Sequence, residues 1–253
     1  MRLLARTAVN TLCALSALGL AACGTGAADS ADPAAPKATG PFADLSGPEV
    51  TNKALSTTKK AKSLRISVDI RSTDGPVKAD FATSRTGECI GTMSIGPAGT
   101  MEIIKTGDTV YTKFDEAMLR EQSKGEPKAD VDAAVKLLAG RWMESKATDA
   151  DTKDSIEFCD LDGILKGFEA NDTAARKAGE ATVAGKPALR LTEKDGKETY
   201  TVLVAAEGAP YLLRVTSKGG EEPMTMNLSG FDEPVVAKKP AAKDIVDLDQ
   251  PAG

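Results

Sequence analysis

The chain contains no histidine, and this absence removes much of the catalytic chemistry open to a protein of its size. Without an imidazole there is no Ser-His-Asp or Cys-His relay, most catalytic zinc sites cannot be assembled, and no side chain titrates near neutrality unless its surroundings force it to. The residues that could still do chemistry are four cysteines, Cys13, Cys23, Cys89 and Cys159, and a few short patterns. Ser56-Thr57-Thr58-Lys59 and Lys105-Thr106-Gly107 have the S-x-x-K and K-T-G forms of penicillin-binding enzymes, but no S-D-N lies between them and the gap is too short for that fold. Asp149, Asp151 and Asp154 hint at a calcium loop, yet its sixth position is Asp154 rather than Gly and its twelfth is Asp160 rather than Glu. A solvated acidic loop accounts for them, and Asp160 suits the cap of the helix that follows. Gly185-Lys186 runs into Pro187 and forms no phosphate loop. No residue is assigned to catalysis, to a cofactor or to a metal, and the chain reads as non-enzymatic.

The cysteines are more informative. Arg2 and Arg6 precede an uncharged apolar run that contains Leu12, Leu15, Leu18 and Leu20 and ends in Leu20-Ala21-Ala22-Cys23-Gly24. A basic start, a short apolar stretch and small residues before a cut describe a signal peptide over residues 1–22, too short to span a bilayer comfortably. Cys23 directly after the small pair resembles the bacterial lipobox, in which the thiol takes a diacylglyceryl group and becomes the first residue. Such an anchor gains about 0.8 kcal/mol per buried CH₂ and would hold the protein on the outer face of the cell membrane. Cys89 and Cys159 remain, an even pair in an oxidising compartment with no Cys-x-x-Cys, and are expected to form a disulfide.

After Cys23 the chain is Gly, Ala, Ser, Thr, Asp and Pro with few large apolar residues, so residues 23–45 read as a disordered tether. Residues 46–236 hold the apolar patterning of one domain, and residues 237–253 read as a flexible tail. The sequence has 32 basic and 37 acidic residues; removing Arg2 and Arg6 with the signal leaves 30 against 37 and a net charge of −7. No basic stripe is present, so nucleic acid is not an expected partner.

The elements that must position any site follow from periodicity. Residues 49–62 read as a helix after Gly47-Pro48. Leu64, Ile66, Val68 and Ile70 then alternate with Arg65, Ser67, Asp69 and Arg71, a strand with one polar face. Further strands are expected near 77–81, 88–95, 100–105 and 109–114, helices over 115–122, 130–138 and 160–168, and strands again near 181–183, 189–192, 200–204, 211–215 and 224–228. Tight turns at Asp74-Gly75, Gly107-Asp108, Gly185-Lys186, Asp195-Gly196 and Gly219-Gly220 make the strands an antiparallel meander. The expected fold class is α+β: a strongly curved antiparallel sheet of about 10–11 strands, a half-barrel, with helices covering its concave face.

Three stretches carry a resemblance: the helix leading into Leu64-Arg65-Ile66-Ser67-Val68; the hairpin Ile104-Lys105-Thr106-Gly107-Asp108-Thr109-Val110-Tyr111; and Val183-Ala184-Gly185-Lys186-Pro187-Ala188-Leu189-Arg190-Leu191 with Thr201–Val204 and Pro210–Val215. Together they resemble the LolA-like lipoprotein and lipid carriers, most nearly the actinobacterial LppX/LprG-type lipoproteins. The resemblance implies a membrane-anchored, non-catalytic envelope protein that binds or shuttles an acyl-chain lipid or glycolipid, with a regulatory role through an envelope protein partner as the alternative. The cavity would be lined by Leu64, Ile66, Val68, Ile70, Phe81, Met93, Ile95, Met101, Ile103, Val110, Trp142, Leu189, Leu191, Val202, Val204, Met224 and Met226. A filled core would use the same residues, and the sequence leaves the two open.

Overall fold

The structure, a computed structural model, describes residues 40–73, 75–166 and 174–246. The expected signal peptide, Cys23, most of the tether and the end of the tail lie outside the described residues. Ser46 opens helix α1 (Gly47–Thr58) with a reciprocal cap: its backbone N–H donates to Glu49 Oε2 at 2.7 Å, and the Glu49 N–H donates back to the Ser46 hydroxyl. The helix is shorter than its pattern suggested. Its last buried residue, Thr58, uses its hydroxyl to accept the Leu212 N–H at 3.0 Å, so the following residues turn into the sheet.

Strands β1 (Ser63–Ser72), β2 (Gly75–Ser84), β3 (Cys89–Ile95), β4 (Gly99–Thr106) and β5 (Thr109–Phe114) form one meander. Helices α2 (Glu116–Gln122) and α3 (Lys128–Leu138) follow, and β6 (Trp142–Lys146) returns to pair with β5. Sequence periodicity did not reveal β6, which is five residues long and splits its apolar side chains between its two faces. Helix α4 (Ala150–Ser155), a 3-10 turn (Glu157–Cys159) and α5 (Leu161–Lys166) lead to the second meander, β7 (Arg176–Val183), β8 (Lys186–Asp195), β9 (Glu198–Ala205), β10 (Leu212–Lys218) and β11 (Met224–Ser229). All pairings are antiparallel, and β11 pairs with β1, so the two meanders make one open 11-stranded sheet with β6 and β7 at its edges. The expected curved α+β sheet is therefore observed. Among the described residues no helix is long and apolar enough to cross a membrane.

Three pieces cover the concave face. Val50 and Ala54 of α1 pack with Phe42, Ala175, Leu191 and Val204. Leu161 and Leu165 of α5 pack with Leu64, Ile66, Leu212 and Leu228. The 3-10 turn brings Cys159 against Phe81, Ile103 and Val110. Cys159 is bonded to Cys89, with their Cα atoms 5.4 Å apart and 70 positions separating them, and Thr83 donates its hydroxyl to the Cys159 carbonyl at 2.8 Å. The two middle helices cover less than expected: α2 leans on β4, and α3 packs on α2 through the Arg120–Asp132 ion pair at 2.9 Å.

Both ends of the domain extend further than their composition implied. Phe42, inside the expected tether, is a core residue. The expected loose tail is packed as far as Val246. Asp232 accepts the Lys62 N–H and the Tyr211 hydroxyl, both at 2.7 Å, and the Tyr211 ring stacks on Phe231 with centroids 4.0 Å apart. Beyond it, Lys239 sits over the Tyr111 ring and near Glu144, and Val246 donates its N–H to the Trp142 carbonyl at 2.8 Å. This strap pairs in parallel with the β6 edge through Ile245 and covers backbone groups that an edge strand would otherwise present.

Two predictions follow from these ties. Replacing both Cys89 and Cys159 by Ser should lower unfolding stability by about 4 kcal/mol, the loop-closure value for this separation, measured by urea titration. The Asp232 carboxyl is held below its ordinary range by the Lys62 N–H first and the Tyr211 hydroxyl second. Its contribution is therefore complete above the ordinary Asp pKa of about 3.9 and is lost as pH falls through the lower folded value. Asp232→Asn should cost about 1 kcal/mol at pH 7, with the gap to the parent closing in acid thermal melts.

Candidate functional site

In an antiparallel sheet, directly opposed residues project from the same face, so the registers can be followed from strand to strand. One row runs Leu191, Val202, Val215, Met226, Val68, Ala79, Met93, Met101, Phe114, with a residue from each strand between β8 and β5. We call this row the belt. On one side of it lies a row that includes Val204, Leu212, Leu228, Ile66, Phe81, Gly91 and Ile103. On the other side lie Tyr200, Ser217, Met224, Ile70, Val77 and Ile95.

Burial changes across these rows. Leu64, Ile66, Phe81, Ile103, Val110, Leu191 and Val204 are buried beneath α1, α5 and the 3-10 turn, several of them completely. The middle of the belt is only half-buried, at Val202, Val215, Met226, Val68 and Met93, and so are Met224, Ile70, Val77 and Ile95 beyond it. The concave face is thus a filled core at one end and an open apolar trough at the other. Filled core and accessible apolar side chains therefore occur at different levels of the same strands.

All the expected lining residues project from this face except Trp142. Leu64, Ile66, Phe81, Met101, Ile103, Val110, Leu191 and Val204 belong to the sealed part, while Val68, Ile70, Met93, Ile95, Leu189, Val202, Met224 and Met226 are accessible. Trp142 is opposite Lys113, on the outer face, with the Lys113 ammonium 4.7 Å from its ring centroid. Val77, Val215 and Phe114 were not anticipated as lining residues. Val77 and Phe114 follow the alternation of their strands. Val215 is harder to place because a bulge at Leu212/Arg214 sends Leu212 inward and Leu213 into a separate outer cluster.

Packing fixes where the trough begins. A Cβ at Gly91 would strike the Phe81 ring, so only glycine lets that ring lie flat on β3. Phe158, beside Cys159, stacks on the other side of Phe81 with centroids 5.2 Å apart. Phe158 remains 42% exposed and so forms part of the rim between sealed and open regions. At the far end the trough meets a cavity of about 860 Å³ lined by Ile70, Thr73, Glu198, Tyr200, Ser217, Glu221, Glu222 and Met224. A second depression, of about 830 Å³, takes in Val68, Ala79 and Met224 beside polar outer-face residues such as Ser67, Thr92, Thr216, Arg71 and Asp80.

The short patterns noted at the outset do not converge. Ser56 donates its hydroxyl to the Lys53 carbonyl within α1, and Lys105 donates to the Gly87 carbonyl from β4. Asp149 accepts the Lys146 N–H in its own turn.

No family model matches the chain, and no curated protein matches it. Among solved structures it is similar to LprF from Mycobacterium bovis, at 15% identity over 78% of this chain and 97% of that one, with a TM-score of 0.51. Lipoprotein LppX from Mycobacterium tuberculosis is 16% identical over 76% of this chain and 97% of that one, at a TM-score of 0.46. MucB, in its complex with MucA from Pseudomonas aeruginosa, is 11% identical over 78% of this chain and 59% of that one, at 0.32. At these identities the likeness is one of fold, and of the three only the LprF comparison is close enough to carry it. The expected resemblance to LppX/LprG-type lipoproteins holds at that level: this chain has the open, curved antiparallel fold of LprF.

Proposed function

We propose that this chain is a non-catalytic envelope lipoprotein, lipidated at Cys23 and anchored to the outer face of the cell membrane, that binds acyl-chain lipids in its open trough. The observation that carries the reading is the half-buried belt, where apolar side chains from both meanders line one continuous surface that no helix among the described residues seals. Three methionines, Met93, Met224 and Met226, contribute to the open part; their unbranched, polarizable side chains repack around hydrocarbon of different shapes. A CH₂ group gains about 0.8 kcal/mol on leaving water for an apolar site, much as it does on entering a bilayer. Chains can therefore pass between membrane and trough near balance, without an energy source.

The disulfide constrains the route. The 3-10 turn over Phe81 is tied to β3, so the lid does not lift there; chains enter from the open end, past Met224 and Ile70, and slide toward Phe158. The tether would let the domain approach the membrane without leaving its anchor.

Native mass spectrometry on the chain lacking residues 1–23, purified from a lipid-containing host, tests this. The expected result is a reproducible added mass that organic extraction removes and identifies as acyl lipid. Met226→Glu should cut that occupancy at least tenfold while Ile90→Glu, on the outer face, leaves it unchanged. A clean mass that stays clean after incubation with envelope lipids would overturn the reading and turn the search to a protein partner.

A further inference from the structure

The open part of the concave face is much longer across the strands than along them. Across the sheet the belt runs Val202, Val215, Met226, Val68, Ala79 and Met93, one residue from each of β9, β10, β11, β1, β2 and β3. All are half-buried except Ala79, whose single methyl is too small to break the line. Five interstrand steps of ~4.8 Å make this surface at most about 24 Å long. Along a strand the accessible apolar surface is short. It reaches one row beyond the belt, to Ile70 and Met224, about 7 Å away at two residues of strand. On β1 the next residue of that face is Ser72, and on the other side of the belt Ile66 is already sealed core. Both ends of the belt are walled. Beyond Val202 lies Leu191, completely buried with Val50 and Ala54 of α1. Beyond Met93 lies Met101, also buried. In the adjoining row Gly99 sits so close to the start of α2 that a Cβ there would overlap the Met118 nitrogen and the Asp115 carboxylate.

These dimensions decide how an acyl chain can lie. A bilayer's hydrocarbon core, ~30 Å deep, is filled by two leaflets, so an ordinary membrane chain spans about 15 Å. Laid along the strands, such a chain would meet only the two open rows and leave its remainder in water. Laid across them, it rests on the belt over its whole length and gains with every methylene removed from water. Resting on the acyl-binding reading above, we infer that the chain lies across the strands, along the belt, and that the walls at α1 and α2 gauge its length. Chains of ordinary membrane length are held from end to end. Methylenes that would pass a wall stay in water and add no affinity. The gauge is a property of the backbone, because hydrogen bonding fixes the spacing of neighbouring strands whatever side chains they carry.

Photo-crosslinking and a chain-length series on the chain lacking residues 1–23 test the inference. Stearic acid carrying a diazirine at its methyl end should insert into β9 or β3, and stearic acid carrying it at mid-chain into β11 or β1, both located by peptide mass spectrometry. In the series, lauric, palmitic, stearic and lignoceric acids compete with a fluorescent fatty acid, each delivered from cyclodextrin whose own equilibrium is measured separately. Affinity should rise about tenfold or more from lauric to stearic acid and level off from stearic to the longer lignoceric acid. Insertion of both probes into the same pair of neighbouring strands, or affinity that keeps rising to lignoceric acid, would overturn the inference and leave the acyl-binding reading standing. Failure of every acid to bind would overturn that reading itself.

Discussion

The pairing of β1 with β11 is the contact on which the rest of the structure depends. Each meander alone is a run of hairpins with an unsatisfied edge. Joining them through Ile66 opposite Leu228, Val68 opposite Met226 and Ile70 opposite Met224 satisfies both edges and merges two half-faces into one. The pairing also sets the phase of the belt. A slip of one residue would pair Val68 with Asn227 instead of Met226 and set the apolar face of one meander beside the polar face of the other, so the belt would no longer be continuous. The helices then have one continuous surface on which to settle, and α5 straddles the seam, contacting residues from both sides of it.

The seam also explains why one face serves as both core and trough. Along β1 the same alternation supplies Leu64, Ile66, Val68 and Ile70, chemically alike and all inward. What distinguishes them is the reach of the cover. The α5 side chains and the disulfide-tied turn seal the first two, and among the described residues the cover gives out near Val68. Where the apolar surface is sealed, it stabilises the fold; where it is half-open, it leaves the apolar area that the proposed acyl binding would use. The energetic cost of that exposure is spread over side chains from several strands, none of which is fully accessible.

Much of this was legible in the sequence, and the exceptions have physical causes. A period of two needs one buried and one solvated face, and β1, β2 and β4 have that contrast, so their inward residues could be named directly. At Trp142 the strand is short and its two apolar residues fall on opposite faces, so the contrast disappears and an apolar residue points the opposite way from its expectation. The strap itself has a loop's composition, with Pro234 and Pro240 and several lysines. It is held by backbone and ring contacts made singly at Asp232, Lys239 and Val246, which leave no periodic trace. Phe42 was missed for a similar reason: one aromatic in a run of small residues gives no pattern. The Cys89–Cys159 link was readable because it required only compartment and parity, whereas the level at which the trough opens depends on how far α5 and the turn extend over the sheet, a tertiary quantity.

The sheet never closes on itself, and this has a bearing on what the trough can hold. In a closed barrel, strand number and stagger jointly fix the radius, so the interior has one size. Here β6 and β7 are the two ends of the sheet order and are not paired with each other, so no shared ladder sets the spacing between them. The trough therefore has a depth fixed by the strands but a girth that is not. On the acyl-binding reading, a molecule with one chain and a molecule with several would meet the same residues at different separations of the two edges.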